Sequence, residues 1–377
     1  MSAAPAWDPG PSAIDECGSV APVDALDAAD FDQFWHLDRD GPGWTGGDGT
    51  ISVPLRDGRT AWSFGDTFIG GVQPDGGRGG NWQLIRNSVV IEDGACMRTF
   101  IGGTSGSPAA LLRPSDPSTW WWPAGAIQAE ATDALDFVLL RVMRTGASDW
   151  DFTIVAVDLA ELDLRSMTVT TVRPLVENGS ILWGACVLRI GDDLYIYGVE
   201  NRALGARLYL ARTDGRSLLG AWTYFAGDGL PWTSDPGGAV ALSLDDPSGS
   251  RSPLTGVTSV SVVPADGRYV LVSQEPNFGS GVFAWDAAQP MGPFSADGRI
   301  ATVAPPDVPG AFTYNAHLHP EFAAGGEQLL SYDVNGGDVM TDATLYRPRF
   351  LALTLPTSGP ASPAGSRRAT PRSVATP

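Results

Sequence analysis

Asp48 and Asp66 stand at the two ends of a stretch that reads as a β-hairpin, Trp44-Thr-Gly-Gly-Asp-Gly-Thr-Ile-Ser-Val-Pro-Leu-Arg-Asp-Gly-Arg-Thr-Ala-Trp-Ser-Phe-Gly-Asp-Thr67. Two carboxylates within reach of one substrate atom are the equipment of glycoside hydrolysis. One carboxylic acid protonates the leaving oxygen, and the other carboxylate attacks the anomeric carbon or activates water. Crowding two acids also drives their pKa values apart, so both roles become available near neutral pH. Asp57-Gly58 suits a tight two-residue turn. A turn centred there sets Ile51 opposite Phe64, Val53 opposite Trp62 and Leu55 opposite Thr60, and it brings Asp66 opposite Gly49 and Asp48 opposite Thr67. Regular pairing would aim the acids at opposite faces of the sheet. A bulge in Gly46-Gly47-Asp48-Gly49 is needed to turn Asp48 inward. The plainer reading has Asp48 capping a Gly-rich turn and Asp66 forming an Asx turn with Thr67.

Other residues fit the surroundings of such a pair. Arg86 and Asn87 open the third strand of the same unit, where an Arg can hold an aspartate ionised. Trp122, Trp183 and Tyr314 offer rings for stacking on a sugar, although core packing competes for at least two of the tryptophans. Glu200 and Glu275 are further carboxylates that also fit solvated loop positions. Asn315, His317, His319 and Asn335 complete the substrate-binding candidates. His317, His319 and Glu321 share one strand face by alternation, and imidazole with carboxylate suits a divalent cation. Pro320 interrupts that strand and the ligand set is incomplete. The histidines are therefore read as partners of substrate or of channel water, with no metal and no cofactor required. The Gly-rich segment 70–83 is placed over the rim as a lid.

The elements that must position these residues come as a repeat. Turns at Asp57-Gly58, Asp133-Ala134, Asp192-Asp193, Asp266-Gly267 and Gly325-Gly326 are each flanked by apolar strands, with a third strand following. No single unit can bury its apolar face alone, and five of them predict an all-β, five-bladed β-propeller over residues 41–355. The strand ends carrying the candidate residues then gather on one rim, at the mouth of a central channel. Residues 1–40 read as an irregular lead with a modest helical pattern at 25–34 and an aromatic anchor at Phe34-Trp35. Residues 356–377 read as a disordered tail.

Composition narrows the partners. The formal net charge is −19 and all 24 basic residues are arginine. Such a surface repels nucleic acid. The expected partner is a carbohydrate, bound by a monomer. Three cysteines make no full disulfide framework, and Cys96 and Cys186 read as small buried residues. No secretory signal and no membrane span is visible, which makes the cytoplasm the default location.

Three motifs carry a family likeness: the Gly47–Thr67 hairpin, Arg86-Asn-Ser88, and Tyr314-Asn-Ala-His-Leu-His-Pro-Glu-Phe322 followed by Leu330-Ser-Tyr-Asp-Val-Asn335. In these the chain resembles bacterial proteins of the domain-of-unknown-function 4185 type. That resemblance implies a five-bladed propeller related to arabinan-cleaving glycosidases, some acting on actinobacterial cell-wall glycans, with Asp48 and Asp66 as the catalytic carboxylates. Arabinan-cleaving members are usually exported, which the visible sequence does not match. The second unit also lacks a rim acid that five-bladed arabinanases often carry. The competing readings are a non-catalytic propeller that binds glycan or protein on the same rim, and a metal-dependent hydrolase built on His317 and His319.

Overall fold

Apolar residues on both faces of a strand call for packing partners on both sides, and that pattern recurs through this chain. In the strand Ala134–Arg144, Leu135, Phe137 and Leu139 enter one core cluster while Val138 and Leu140 enter the next. The computed structural model describes residues 11–18, 20–36, 41–148, 150–175, 180–200, 206–227, 231–246, 248 and 250–356. Five sheets follow one another along it, antiparallel except for one parallel pairing in the fourth, where Leu244 lies beside Phe294. Their first strands are Ile51–Pro54, Thr119–Gln128, Leu182–Ile190, Val260–Ala265 and Phe312–Ala324. The second strands are Thr60–Phe64, Ala134–Arg144, Asp193–Glu200, Arg268–Gln274 and Glu327–Asn335.

Each sheet packs on the next through its own apolar layer. One cluster joins Val53, Ala61 and Ile91 to Trp121, Leu135 and Phe137. Others join the second sheet to the third, the third to the fourth and the fourth to the fifth. A fifth cluster brings Phe322, Leu329 and Phe350 of the last sheet against Trp62, Phe64 and Val90 of the first. The first strands touch in the same cyclic order. Three of them bulge at one level, between Pro123 and Gly125, Trp183 and Cys186, and Tyr314 and His317. Ala124 and Ala185 sit in two of those bulges, where a small side chain leaves room between neighbouring strands.

Several expectations change. The first hairpin pairs Ile51 with Ser63, Ser52 with Trp62, Val53 with Ala61 and Pro54 with Thr60, one residue away from the predicted register. The cause is the turn, which is a loop from Leu55 to Arg59 closed by Leu55 N–H to Arg59 O at 2.8 Å. Only Gly58 there has a positive φ. The lead is not irregular throughout: Pro11–Cys17 pairs with Cys96–Thr104, and a short helix, Ala28–Phe34, buries Phe31 and Phe34 in the layer between the last and first sheets. Trp35 completes the anchor. Cys96 is not a lone buried residue; it is disulfide-bonded to Cys17, while Cys186 stays free. Of the expected tail at 356–377, all but Pro356 lies outside the described residues. No described helix is long and apolar enough to cross a membrane.

Removing the Phe31 ring should cost about 3–5 kcal/mol of folding stability, the usual penalty for a large cavity in packed aromatic surroundings. Chemical denaturation of Phe31→Ala checks this, and a loss below about 1 kcal/mol would show that the helix is an appendage.

Candidate active site

The first hairpin continues past its loop-distal end into a small side sheet of Gly43–Gly47, Thr67–Gly70 and Gln83–Ile85. Between the two sheets the chain kinks at Gly49, whose φ of 67° suits glycine. Asp48 and Asp66 sit at this break and are paired through their backbones, Asp48 N–H to Asp66 O at 3.3 Å and Gly65 N–H to Asp48 O at 2.7 Å. Gly65 leaves Asp48 its place, since a Cβ there would stand 2.7 Å from Asp48 Oδ1 and would displace that carboxyl. Both aspartates line one cavity of about 720 Å³. A second cavity, of about 620 Å³, runs on between the first strands of the five sheets. Ile51, Ala124, Ala185 and His317 border both, and so form the waist between them.

The two carboxyl groups have opposite environments. Asp66 accepts from the Arg86 guanidinium at 2.8 Å on Oδ2 and from the Trp122 indole N–H at 2.8 Å on Oδ1. Two donors, one of them cationic, match a charged carboxylate. Asp48 accepts from the Tyr314 hydroxyl at 2.7 Å and lies beside Tyr346. Withdrawal from water pushes its pKa up to about 8, with the charges of Asp66 and Asp333 adding to the rise and the tyrosine hydroxyls opposing it. Asp333 holds the kink itself, accepting from Gly49 N–H at 2.6 Å and Thr50 Oγ1 at 2.8 Å. Burial raises its own pKa to about 7.

The remaining predicted residues divide. Arg86, Trp122, Tyr314, Asn315, His317 and Asn335 line the cavity with the aspartates. The bulge at Asn315, with φ of 53°, puts Tyr314 and His317 on one face although strict alternation would separate them. Burial lowers the His317 pKa to about 4, so it is a neutral imidazole there. His319 opens only onto the second cavity. Its ring nitrogens are engaged by Ser52 Oγ at 2.5 Å and Ser331 Oγ at 2.8 Å, which removes it from a metal ligand set. No cluster of three or more His, Cys, Asp or Glu able to hold a metal occurs among the described residues.

Four candidates land elsewhere. Asn87 is fully buried and spends its amide on Leu112 and on Trp121 O, stitching the first sheet to the second. Glu200 is buried and accepts from the Tyr209 hydroxyl at 2.8 Å. Glu275 closes its own loop on Gly281 N–H. Trp183 borders the cavity but is 1% exposed and packs against Trp222 and Tyr224. The segment 70–83 is no free lid either. Arg78 pins it to Val339 O and Thr45 and lies 3.6 Å over the Phe68 ring. Sequence reasoning missed Tyr346, which sits in an irregular segment without periodic signal. Asp333 entered only within the Leu330–Asn335 motif, although its place opposite Tyr314 in the last sheet was open to the same alternation argument.

The chain is all-β, and where its sheets meet a cavity holds two carboxyl groups with different hydrogen-bond partners. The family model matching residues 28–354 is that of Domain of unknown function (DUF5005), and the chain belongs to that family. This overturns the resemblance to the 4185 type. Three short motifs carried that likeness, whereas the matching model spans most of the chain. Among solved structures, a protein of Bacteroides ovatus provisionally described as a hydrolase shares the fold at a TM-score of 0.65 and 18% identity, with 86% of this chain and 88% of that chain covered. A GH43_1 enzyme from Xanthomonas citri aligns at a TM-score of 0.47 and 14% identity over 85% and 92% of the two chains. The catalytic domain of a Coprinopsis cinerea GH62 α-L-arabinofuranosidase aligns at 0.43 and 13% over 84% and 95%. No curated protein matches the chain.

Burial lifts the pKa of Asp48 to about 8, and those of Asp333 and Glu92 to about 7. Glu92 sits under the Trp62 indole. A carboxyl raised in the folded state binds more protons there than in the unfolded chain. Its stabilising contribution is full below the ordinary carboxylate range and is lost as pH rises through the folded value. Thermal unfolding should therefore show a midpoint that falls between about pH 6.5 and 8, above the range in which the buried neutral histidines act in the opposite direction, with a shallower fall in Glu92→Gln. A midpoint that rises over this range would contradict the assignment.

Proposed function

We propose that this chain is a five-bladed β-propeller glycoside hydrolase whose acid and base are Asp48 and Asp66. The observation that carries the reading is a single one: both carboxyl groups face one cavity, yet one is dressed to keep a proton and the other to keep a charge. Asp48, with its pKa near 8, is a carboxylic acid at neutral pH and serves as the proton donor to the leaving glycosidic oxygen. Asp66, fixed by Arg86 and Trp122, is the carboxylate that attacks the anomeric carbon or takes a proton from the attacking water. After bond cleavage Asp48 is left anionic, and the Tyr314 hydroxyl already aimed at it stabilises that charge.

Support for the architecture comes from the cyclic packing of the five sheets. The sugar expected at the site is a furanoside within a glycan such as arabinan, bound by a monomer. Trp122 and Tyr314 offer ring faces beside the two carboxyl groups. Asn315, His317 and Asn335 offer neutral hydrogen-bonding groups for hydroxyls. An uncharged His317 both donates and accepts, as a sugar hydroxyl requires.

Screening soluble arabinan, arabinoxylan and aryl furanosides for released reducing ends tests the reading. Wild type should hydrolyse at least one of them, with activity lost as pH rises through about 8, where Asp48 gives up its proton. Asp48→Asn and Asp66→Asn should each lose about 10²–10⁴-fold in kcat. Wild type that retains these glycans without cleaving them would assign the cavity to binding alone.

A further inference from the structure

Aromatic rings continue outward from the carboxyl pair in two files. On the Asp66 side the Trp122 ring meets Phe152 at 4.9 Å and Trp120 at 5.7 Å, and Trp120 in turn lies under the Arg86 guanidinium at 4.6 Å. On the Asp48 side Tyr314 meets Phe312 at 5.8 Å, and Phe312 meets Phe278 at 4.4 Å. Trp150, in the loop between two strands of the second sheet, reaches Phe312 at 6.3 Å and Phe278 at 6.5 Å. The file thus ends on two rings contributed by loops of different sheets. Trp150 and Phe278 are 62% and 53% exposed, among the largest apolar surfaces left open to water in the described residues.

The fold takes trouble to present Phe278. Asn277 and Phe278 both lie in the left-handed region, at φ of 59° and 62°, which bulky side chains avoid. The loop is clamped by Glu275 N–H to Gly281 O at 2.7 Å, by Gly281 N–H to the Glu275 carboxylate at 3.2 Å and by Gln274 Nε2 to Gly279 O at 2.8 Å. Glu275, expected to touch substrate, instead shapes the loop that holds the ring out. Burial would hide such a ring, whereas here it is held open, beside Phe312 and Trp150, which line the cavity.

We propose that Trp150 and Phe278 form an outer subsite that stacks on a sugar ring of a glycan chain whose scissile bond lies at Asp48 and Asp66, so that the ligand is an oligo- or polysaccharide engaged along several units rather than a terminal glycoside alone. The sugar's C–H face is apolar and flat enough to cover an aromatic ring, while its hydroxyls stay in water at this open edge. The proposal rests on the glycosidase reading for its substrate class, and its test separates the two.

Phe278→Ala and Trp150→Ala, both at exposed positions, are compared with wild type for kcat/KM on arabino-oligosaccharides of rising length and on an aryl arabinofuranoside. Retention of Asp66→Asn, with and without Phe278→Ala, is measured in gels containing arabinan or arabinoxylan. The expected result is that the preference of wild type for longer chains over the aryl glycoside falls about fivefold to tenfold in each variant, and that the added Phe278→Ala weakens retention. Hydrolysis with an unaltered length preference overturns the subsite and leaves the glycosidase. Retention without hydrolysis in wild type, weakened by Phe278→Ala, upholds the subsite and removes the glycosidase. A protein neither retained nor active on these glycans overturns the subsite.

Discussion

The site depends on one backbone contact, the pairing of Asp48 with Asp66 across the break between the first hairpin and its side sheet. Residues directly opposite each other in an antiparallel pair present their side chains to the same face, so this register by itself brings the two acids to one cavity. The ladder breaks beside them at Gly49, and the position of that break is fixed from outside the hairpin. Asp333, in the last sheet, takes the N–H of Gly49 and the hydroxyl of Thr50. The first and last sheets are thereby latched at the acids themselves, on the same flank where Phe31 and Trp62 fill the layer between them. Stability and chemistry share this seam.

What distinguishes the two carboxyl groups is the company each keeps. Asp66 meets a guanidinium and an indole N–H; Asp48 meets phenol hydroxyls with two other acids nearby. At Asp48 burial and the neighbouring charges of Asp66 and Asp333 outweigh the phenol hydrogen bonds and push the carboxyl up. The buried neutral His317 and the tyrosines, whose pKa values burial raises well above the ordinary phenol range, keep the rest of the cavity uncharged. Charge is thus confined to the few groups that have a use for it.

The strands were the most legible part of the sequence, because two-sided apolar runs between Gly- and Asp-containing turns leave few alternatives. The second strands at 134–144, 193–200, 268–274 and 327–335 begin at or directly after the turns expected at 133–134, 192–193, 266–267 and 325–326. Register was less legible: Asp57-Gly58 resembles a two-residue turn, but Leu55 closes on Arg59 and slips every pair by one. The same slip places Asp48 against Asp66 instead of Thr67. Rim residues were legible as a set, while the direction of each side chain was not. Glu200 and Asn87 turn into packing because Tyr209 and Leu112 await them there, and no local signal in the sequence announces such distant partners. The family was misread because three short motifs carried the likeness, whereas the family model that matches spans residues 28–354.

The most direct test of the account is the ionisation of Asp48 itself. Carboxyl ¹³C chemical shifts, followed against pH in protein labelled at aspartate and compared with Asp48→Asn, isolate that one group. The account predicts a resonance titrating near pH 8 in the wild type and missing from the variant. An Asp48 resonance that titrates in the ordinary carboxylate range, near pH 4, would mean that the two acids are alike and that neither is held ready to donate a proton.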